Sequence, residues 1–341
     1  MVLPTIVGVP AEGGQETEIV MGMHAAVVRS FEHPPRYETY DSPEPRGSDE
    51  AIIEVLAAGL HPRVRTDASG RHYTRSGTLP MIPGIDGVGR LSDGRRVYFV
   101  TPYDDWGSMA ERVVVDLRRV VHLVDHVDAI KVAAAMNPAM SAWVALRRRV
   151  PLKPGGSVLV LGATGNAGGM AVQVAKRLGA ARVVGAGRNV QRLAGLRALG
   201  ADDAVALTDD ARVTAEGLAK AAAEVDIVID YLWGPPAASA MTALLNARAD
   251  RSRAMDWVQI GAMAGPTLEL ASVALRSANL RLQGNGQGAV SAQAYLAELP
   301  SLVDEIAAGT IAVDTRAVPL SDVEATWNAP ETPGVRTVLI P

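Results

Sequence analysis

The sequence contains no cysteine. Without a thiol the chain can form no disulfide, no cysteine-ligated metal site and no cysteine nucleophile. Aromatic residues are also scarce, with seven tyrosines, five tryptophans and two phenylalanines among 341 residues, so the composition gives no sign of an aromatic box for a flat ligand. No uninterrupted apolar run approaches the length of a membrane span, and we predict no membrane partner.

A strong charge of either sign is absent as well, since the net charge is -4 and the one dense basic run is Arg147–Arg149. We therefore predict no nucleic-acid partner. Residues 1–22 lack the basic start and the long apolar centre of a signal peptide, so we expect a flexible extension or an upstream start codon, and a cytoplasmic protein. His122 and His126 have a spacing that could bind a metal, but the valine-rich sequence before them indicates an extended segment, and we predict no metal site.

The chain does contain a strand, a glycine-rich turn, a helix and a second strand within residues 157–188. The run from Val158 to Leu161 is typical of a parallel strand that is buried on both faces. Gly162, Gly165 and Gly168 follow it, and such glycines allow a tight turn and a close approach of the backbone to a pyrophosphate at the helix N-terminus. This pattern predicts a nucleotide-binding βαβ unit, although a glycine turn can also serve only to pack a helix on a strand.

The residues after the second strand of this unit indicate which dinucleotide would bind. Proteins that bind NAD usually place an Asp or Glu about 20 residues beyond the glycines, where it binds the adenine ribose. Residues 181–201 contain no acidic residue, whereas Arg188 and Arg192 follow the strand four residues apart. Guanidinium groups form forked hydrogen bonds with phosphate, so the pair predicts binding of the 2′-phosphate of NADPH. The alternative is that both arginines lie on an exposed helix face.

Three kinds of sequence follow one another along the chain. Residues 23–124 contain short β signals and turns, and residues 125–284 alternate six strands with helices. Residues 285–341 contain one helix, in AYLAELPSLVDEIAAG, and two short strands that need a partner. We predict an α/β fold in which a β-rich domain, formed by 23–124 and 285–341, carries an inserted domain with a doubly wound parallel sheet at 125–284.

The order of these segments resembles the medium-chain dehydrogenase/reductase family, and specifically its zinc-free quinone oxidoreductase branch. The resemblance rests on LPMIPGIDGVG, MAERVVV, KPGGSVLVLGATGNAGGMAVQVAKRLGA, LRALGADDAV and VDIVIDYL, and it covers roughly residues 23–341. It implies a GroES-like catalytic domain, an inserted Rossmann domain, NADPH in the cleft between them, and a homodimer. The implied activity is zinc-independent transfer of hydride from NADPH to a quinone or an α,β-unsaturated carbonyl. An enoyl-thioester reductase, or a nucleotide-binding protein with a structural or sensing role, remains an alternative.

The resemblance also shows where this chain departs from the family. Zinc enzymes of the family have a cysteine after the first glycine region and a G-H-E triplet, whereas this chain has no cysteine in Ala57–His61 and reads Gly84-Ile85-Asp86 at the triplet. The resemblance therefore implies that no metal takes part in the reaction. His61 and Val64 stand where typical members have asparagine and aspartate.

Two residues are implied to be catalytic by their positions, His61 and Tyr73. The imidazole of His61 can replace the polar group near the nicotinamide, belong to a site for a different substrate, or simply fit the bend before Pro62. The phenol of Tyr73 can donate a hydrogen bond to a substrate oxygen, or it can be a loop aromatic that covers the core.

The cofactor-binding residues that we expect lie on the helix before the glycine turn, in the turn itself and after the strands of the Rossmann domain. They are Asn137, Ser141, Thr164, Gly165, Asn166, Ala167, Gly168, Arg188, Arg192, Tyr231, Gly261, Ala262 and Met263. Residues after strands are included because open α/β sheets bind ligands at the carboxyl ends of their strands.

Overall fold

The computed structural model describes residues 22–72 and 77–341. The extension predicted for residues 1–22 lies, except for Gly22, outside the described residues, and so does Tyr73.

The first part of the chain and its C-terminal end together build a mainly antiparallel sheet. Strands β1 (Met23–Val27) and β2 (Arg36–Tyr40) form a separate antiparallel pair beside it. The first part of the chain contributes five strands to the larger sheet: β3 (Glu50–Gly59), β4 (Asp86–Arg90), β5 (Arg96–Val100), β6 (Arg112–Asp116) and β7 (Val121–Leu123). Helix α1 (Pro62–Ala68) follows β3 and starts with a proline, which lacks the N–H that the first turn of a helix leaves unpaired.

The middle of the chain forms a second, fully parallel sheet. Its strands are β8 (Ser157–Leu161), β9 (Arg182–Gly187), β10 (Asp203–Ala206), β11 (Ile227–Asp230), β12 (Met255–Gln259) and β13 (Leu280–Gly284). They lie in the order β10-β9-β8-β11-β12-β13, so the strand order reverses beside β8, as in a Rossmann fold. The predicted fold class, a β-rich domain combined with a doubly wound parallel sheet, is confirmed.

Helices cover this sheet on both faces. They are α2 (Ala129–Val144), α3 (Asn166–Arg177), α4 (Val190–Gly195), α5 (Ala211–Ala222), α6 (Gly234–Ala247) and α7 (Ser272–Arg276). Alternate residues of β8 reach opposite cores: Val158 and Val160 pack in the core that includes α2 and α3, whereas Leu159 and Leu161 pack in the core of α5 and α6. A strand buried on both faces needs apolar residues at every position, which explains the continuous run in the sequence.

Helix α2 packs against β3 and β4 as well as against α3, and so it joins the cores of the two sheets. With its π-helical continuation, Ala145–Arg149, it forms a segment of 21 residues that is long and apolar enough to cross a membrane. This segment is not an uninterrupted apolar run in the sequence, because Lys131 and Asn137 interrupt it. Of its most apolar stretch of 18 residues, 72% is buried inside the protein, as is typical of a core helix.

The C-terminal part returns to the first sheet. It contains α8 (Ala292–Leu296), α9 (Leu299–Ala307), β14 (Asp314–Pro319), α10 (Val323–Trp327) and β15 (Val335–Ile340). Strand β15 pairs antiparallel with β3 and parallel with β14. The boundaries predicted after residues 124 and 284 stay a prediction, because α2 and α9 pack on each other and α9 also contacts β7.

The single helix predicted in this tail is wrong, since the structure has α8 and α9 in its place. Pro300 lies at the start of α9, and a proline inside a continuous helix would remove a hydrogen bond and clash with the preceding turn. Glu298 lies between the two helices, is 1% exposed and accepts a hydrogen bond of 3.1 Å from Nε1 of Trp143. Arg147 and Arg148 also bind its carboxylate. Two arginines of the basic run are therefore paired within the chain.

Candidate active site

A cavity of about 1030 Å³ opens at the carboxyl ends of the parallel strands, beside the β-rich part of the protein. Most of the residues predicted to bind the cofactor line it, together with His61. The predicted residues in its lining are His61, Asn137, Ser141, Thr164, Gly165, Asn166, Ala167, Gly168, Arg188, Arg192, Tyr231, Gly261 and Met263. Ala262 is not part of the lining, and Tyr73 lies outside the described residues.

The glycine turn lines this cavity, and its backbone packs closely against the start of α3. Gly162 has a positive φ of 86°, a conformation that suits glycine, and a Cβ on Gly168 would lie 2.1 Å from the carbonyl oxygen of Gly162. No side chain caps the start of α3. The N–H groups of its first turn are therefore available to an anion, which is the arrangement that binds a pyrophosphate.

Two arginines line the same cavity. Arg188 is exposed and makes no hydrogen bond or ion pair within the described part of the chain, while Arg192 is half-buried. Nη1 of Arg192 donates a hydrogen bond of 3.2 Å to Oδ1 of Asn166. Burial lowers the pKa of Arg192, but an arginine keeps its charge at neutral pH. Both guanidinium groups can therefore receive a phosphate that approaches from the cavity.

A pair of hydroxyl groups links α2 to the end of β11. Oγ of Ser141 and the phenol oxygen of Tyr231 lie 2.8 Å apart, and Oγ is also 2.8 Å from the carbonyl oxygen of Pro138. Burial raises the pKa of Tyr231, so its phenol stays protonated. Gly261 fits directly against this strand end, because a Cβ on Gly261 would lie 2.7 Å from the carbonyl oxygen of Tyr231.

The structure adds two segments that sequence reasoning missed. Thr208 and Asp209, which follow β10, line the cavity, and so do Glu331, Thr332 and Pro333 from the loop before β15. The first segment could have been expected, because it follows a parallel strand. The second comes from the other sheet, and no local pattern in the sequence places it at the cavity.

A second cavity of about 650 Å³ adjoins the first on the side of the β-rich part. Tyr98, Tyr103 and Tyr295 all line it, although they come from separate segments of the chain. The composition gave no sign of this aromatic lining, since only the fold brings three of the seven tyrosines together. Four residues line both cavities, and they mark the place where the two meet: Arg63, Asn137, Ser141 and Ile260.

A buried polar cluster contributes to the walls of both cavities. His61 lines the first cavity, whereas Asp86 and Tyr98 line the second. Nε2 of His61 lies 3.5 Å from Oδ1 of Asp86, and the phenol of Tyr98 donates a hydrogen bond of 2.8 Å to Oδ2 of the same carboxylate. Burial lowers the pKa of His61, against the attraction of Asp86, and burial raises the pKa of Tyr98.

Among residues 22–72 and 77–341, no group of three or more His, Asp or Glu side chains is arranged to hold a metal ion. His61 and Asp86 come together, but no third such side chain joins them as a ligand in the described part of the chain. The metal independence of the protein stays a prediction.

Two interlocked sheets, a glycine turn at the switch point of the parallel sheet and a cleft between the sheets define a dinucleotide-binding protein of the medium-chain dehydrogenase/reductase type. Comparison with known proteins agrees. The family model described as "Zinc-binding dehydrogenase" matches residues 167–296. The "Probable NADPH-dependent quinone reductase tdiC" of Emericella nidulans is 30% identical over 94% of this chain and 100% of its own length. The chain therefore belongs to the medium-chain dehydrogenase/reductase family, in its quinone oxidoreductase branch.

Two further similarities bear on the fold and on the range of the family. The quinone oxidoreductase of Thermus thermophilus, whose structure is also known in complex with NADPH, is 27% identical, with a TM-score of 0.76 over 94% of this chain and all of that one. The mitochondrial enoyl-[acyl-carrier-protein] reductase of Caenorhabditis elegans is 27% identical, over 46% of this chain and 47% of its own length.

Proposed function

We propose that the protein is an NADPH-dependent, metal-independent oxidoreductase that reduces a quinone or an α,β-unsaturated carbonyl compound. One observation carries the proposal: a cavity with an anion-binding helix start and two arginines joins a second cavity that is lined by tyrosines. The first has the chemistry for a phosphorylated dinucleotide, and the second suits a planar organic molecule. The names of the quinone reductase relatives support the same activity.

The residues of the first cavity fit NADPH group by group. The first turn of α3, from Asn166 to Gly168, would hold the pyrophosphate, because its N–H groups are uncapped and a side chain at Gly168 would close the approach. Arg188 and Arg192 would hold the 2′-phosphate. Tyr231, Ser141 and Gly261–Met263 lie toward the second cavity and would border the nicotinamide.

When bound, NADPH supplies a hydride with its electron pair. The protein's own contribution is to place the acceptor beside the dinucleotide and to stabilise the negative charge that develops on the acceptor's oxygen. His61 and Tyr73 remain our predicted contributors to that second task. A homodimer, which the family resemblance implies, and a cytoplasmic location are further parts of the proposal.

An enoyl-thioester reductase is the second candidate, because the relative from Caenorhabditis elegans carries that name. The tyrosine lining of the second cavity favours a quinone or an enone over a long flexible thioester. The distinction is a matter of substrate, since both reactions add a hydride to an unsaturated carbon.

The test is a panel of acceptors with NADPH and NADH, followed by absorbance at the wavelength of the reduced nicotinamide. Quinones and short enones should be reduced faster than crotonyl-coenzyme A. Faster reduction of the thioester would move the assignment to an enoyl reductase. Tight NADPH binding without turnover of any acceptor would instead support a nucleotide-binding structural or sensing protein.

A further inference from the structure

The acceptor must meet the dinucleotide where the two cavities join, and four side chains line that junction: Arg63, Asn137, Ser141 and Ile260. A polar group at this place can bind the oxygen of the acceptor while hydride is transferred. The four differ in whether they offer an uncharged hydrogen-bond donor that is not already used within the protein.

Three of the four lack such a donor. Ile260 is apolar. The hydroxyl of Ser141 has one proton and already lies 2.8 Å from both the carbonyl oxygen of Pro138 and the phenol of Tyr231. Arg63 is charged: its Nη2 donates to Oε1 of Gln287 at 2.7 Å, and its Nε, which makes no hydrogen bond, is buried and lies 3.7 Å from the carboxylate of Asp67.

Asn137 differs from the other three. It is half-buried, it lines both cavities, and its carboxamide makes no hydrogen bond within residues 22–72 and 77–341. A half-buried amide without a partner in the protein needs one from a ligand or from water. The amide offers two N–H donors and carries no charge, so it can bind a carbonyl oxygen and the anion that forms from it.

The position of Asn137 is fixed by its helix. The residues around it on α2 are buried, with Met136, Ala139 and Met140 at 0%, 0% and 2% exposure. A donor on a rigid core helix is positioned before the reaction, which is what stabilisation of a developing charge requires. His61 is less well placed for direct contact, because it is 2% exposed and both of its ring nitrogens are covered by protein atoms.

We infer that Asn137 is a catalytic residue, whose side-chain N–H donates a hydrogen bond to the carbonyl oxygen of the acceptor at the junction of the cavities. The inference rests on the proposed function, and it replaces the cofactor-binding role that the sequence predicts for Asn137. In an enone, the hydride lost by NADPH, which becomes NADP⁺, forms the new C–H bond at the β-carbon, the π electrons of the C=C bond move toward the carbonyl, and negative charge develops on the oxygen bound by Asn137. A proton from water then adds to the α-carbon and completes the reduction. In a quinone, the charge develops on one of the two carbonyl oxygens in the same way.

The experiment compares the unmodified protein with Asn137→Ala and Asn137→Asp. The aspartate has the same size but no N–H donor when it is ionised. Asn246→Ala, on the exposed surface of α6, is the matched control. Four quantities are measured: kcat and KM with a quinone or enone that the unmodified protein reduces, the dissociation constant of NADPH by direct titration, and the pKa of 4-nitrophenol bound to the NADP⁺ complex, followed by the absorbance of the phenolate.

Both Asn137 variants should lower kcat on the order of a hundredfold, with the aspartate at least as slow as the alanine, and leave the NADPH dissociation constant within about twofold. They should also raise the pKa of bound 4-nitrophenol, because the phenolate loses a donor. A merely structural role would be preserved in the aspartate variant. The control should change none of the four quantities.

Two results would overturn the inference. In the first, kcat and the pKa of the bound phenol are unchanged by either variant. In the second, NADPH affinity falls in parallel with kcat while the pKa of bound 4-nitrophenol is unchanged. Asn137 would then be a cofactor-binding residue only. If the unmodified protein reduces no acceptor, the proposed function fails, whereas the phenol titration still decides whether Asn137 binds an oxyanion.

Discussion

Nε2 of His61 lies 3.5 Å from Oδ1 of Asp86, and both side chains are 2% exposed. Burial opposes the charged form of the imidazole and outweighs the attraction of the carboxylate, so the pKa of His61 lies below its ordinary value of 6.5. The guanidinium of Arg336 acts in the same direction as burial, while Glu331 acts with Asp86. His61 is therefore a neutral side chain in the folded protein at neutral pH.

This relationship predicts the effect of pH on stability. As the pH falls through about 6.5, His61 in the unfolded chain takes up a proton that the folded protein does not yet bind, so the free energy of unfolding decreases. His61→Asn, which restores the residue typical of the family, should lose less stability than the unmodified protein between pH 7 and pH 5. Denaturant unfolding at several pH values measures this. His33→Asn, at an exposed histidine, is the control and should follow the unmodified protein. Parallel curves for all three proteins would contradict the prediction.

A second prediction concerns the choice of cofactor. Arg188 and Arg192 line the cavity, so NADPH should bind more than tenfold more tightly than NADH, which corresponds to about 1.4 kcal/mol or more. Replacing both arginines by alanine should abolish the difference, with little change in NADH affinity. Fluorescence titration with each cofactor provides the measurement. Arg197→Ala, in the same segment but outside the cavity lining, is the control and should keep the preference for NADPH. Equal affinities of the unmodified protein for NADPH and NADH would contradict the prediction.

The glycine turn gives a third prediction. A Cβ on Gly168 would lie 2.1 Å from a backbone oxygen, so Gly168→Ala must displace α3 from the strand. We expect a loss of about 1–3 kcal/mol in the free energy of unfolding and weaker NADPH binding. Gly195→Ala is the control, because its Cβ would meet nothing within 4 Å and helix α4 ends there. The prediction fails if both variants bind NADPH and unfold like the unmodified protein.

The carboxylate between α8 and α9 leads to a fourth prediction. Glu298 is 1% exposed and binds Trp143, Arg147 and Arg148, so Glu298→Ala leaves three donors without their acceptor. Because the arginines are partly exposed and can turn to water, we expect a loss of about 2–3 kcal/mol. Glu216→Ala, which removes an exposed ion pair with Arg212 on one helix, should cost less than about 0.5 kcal/mol. Thermal or denaturant unfolding distinguishes the two, and equal small losses would contradict the role of Glu298.

The last prediction is that metal plays no part in turnover. The chain has no cysteine, and in residues 22–72 and 77–341 no group of three or more His, Asp or Glu side chains is arranged to hold a metal ion. NADPH oxidation with an acceptor should survive dialysis against a chelator. Stoichiometric zinc in the purified protein that is lost together with activity would overturn the prediction.

Much of the fold could be predicted from the sequence because its signals are local. The run from Val158 to Leu161 needed apolar residues on both faces of a buried strand, and Gly162, Gly165 and Gly168 needed to be glycines for a close backbone approach. These requirements are met by neighbouring residues, so the βαβ unit can be recognised without a structure, and most of the residues predicted to bind the cofactor line one cavity. Local signals also misled at Pro300, where a continuous apolar pattern concealed a helix break.

Only the tertiary structure decided which side chains come together around the two cavities. His61 meets Asp86, three tyrosines line one cavity, and the loop at Glu331 reaches the other, although these residues are far apart in the chain. Such contacts depend on how two sheets pack and on which side chains find partners. The sequence predicts Asn137 as a cofactor-binding residue. Only the packing of α2 shows that its amide lies between two cavities without a partner in the described part of the protein.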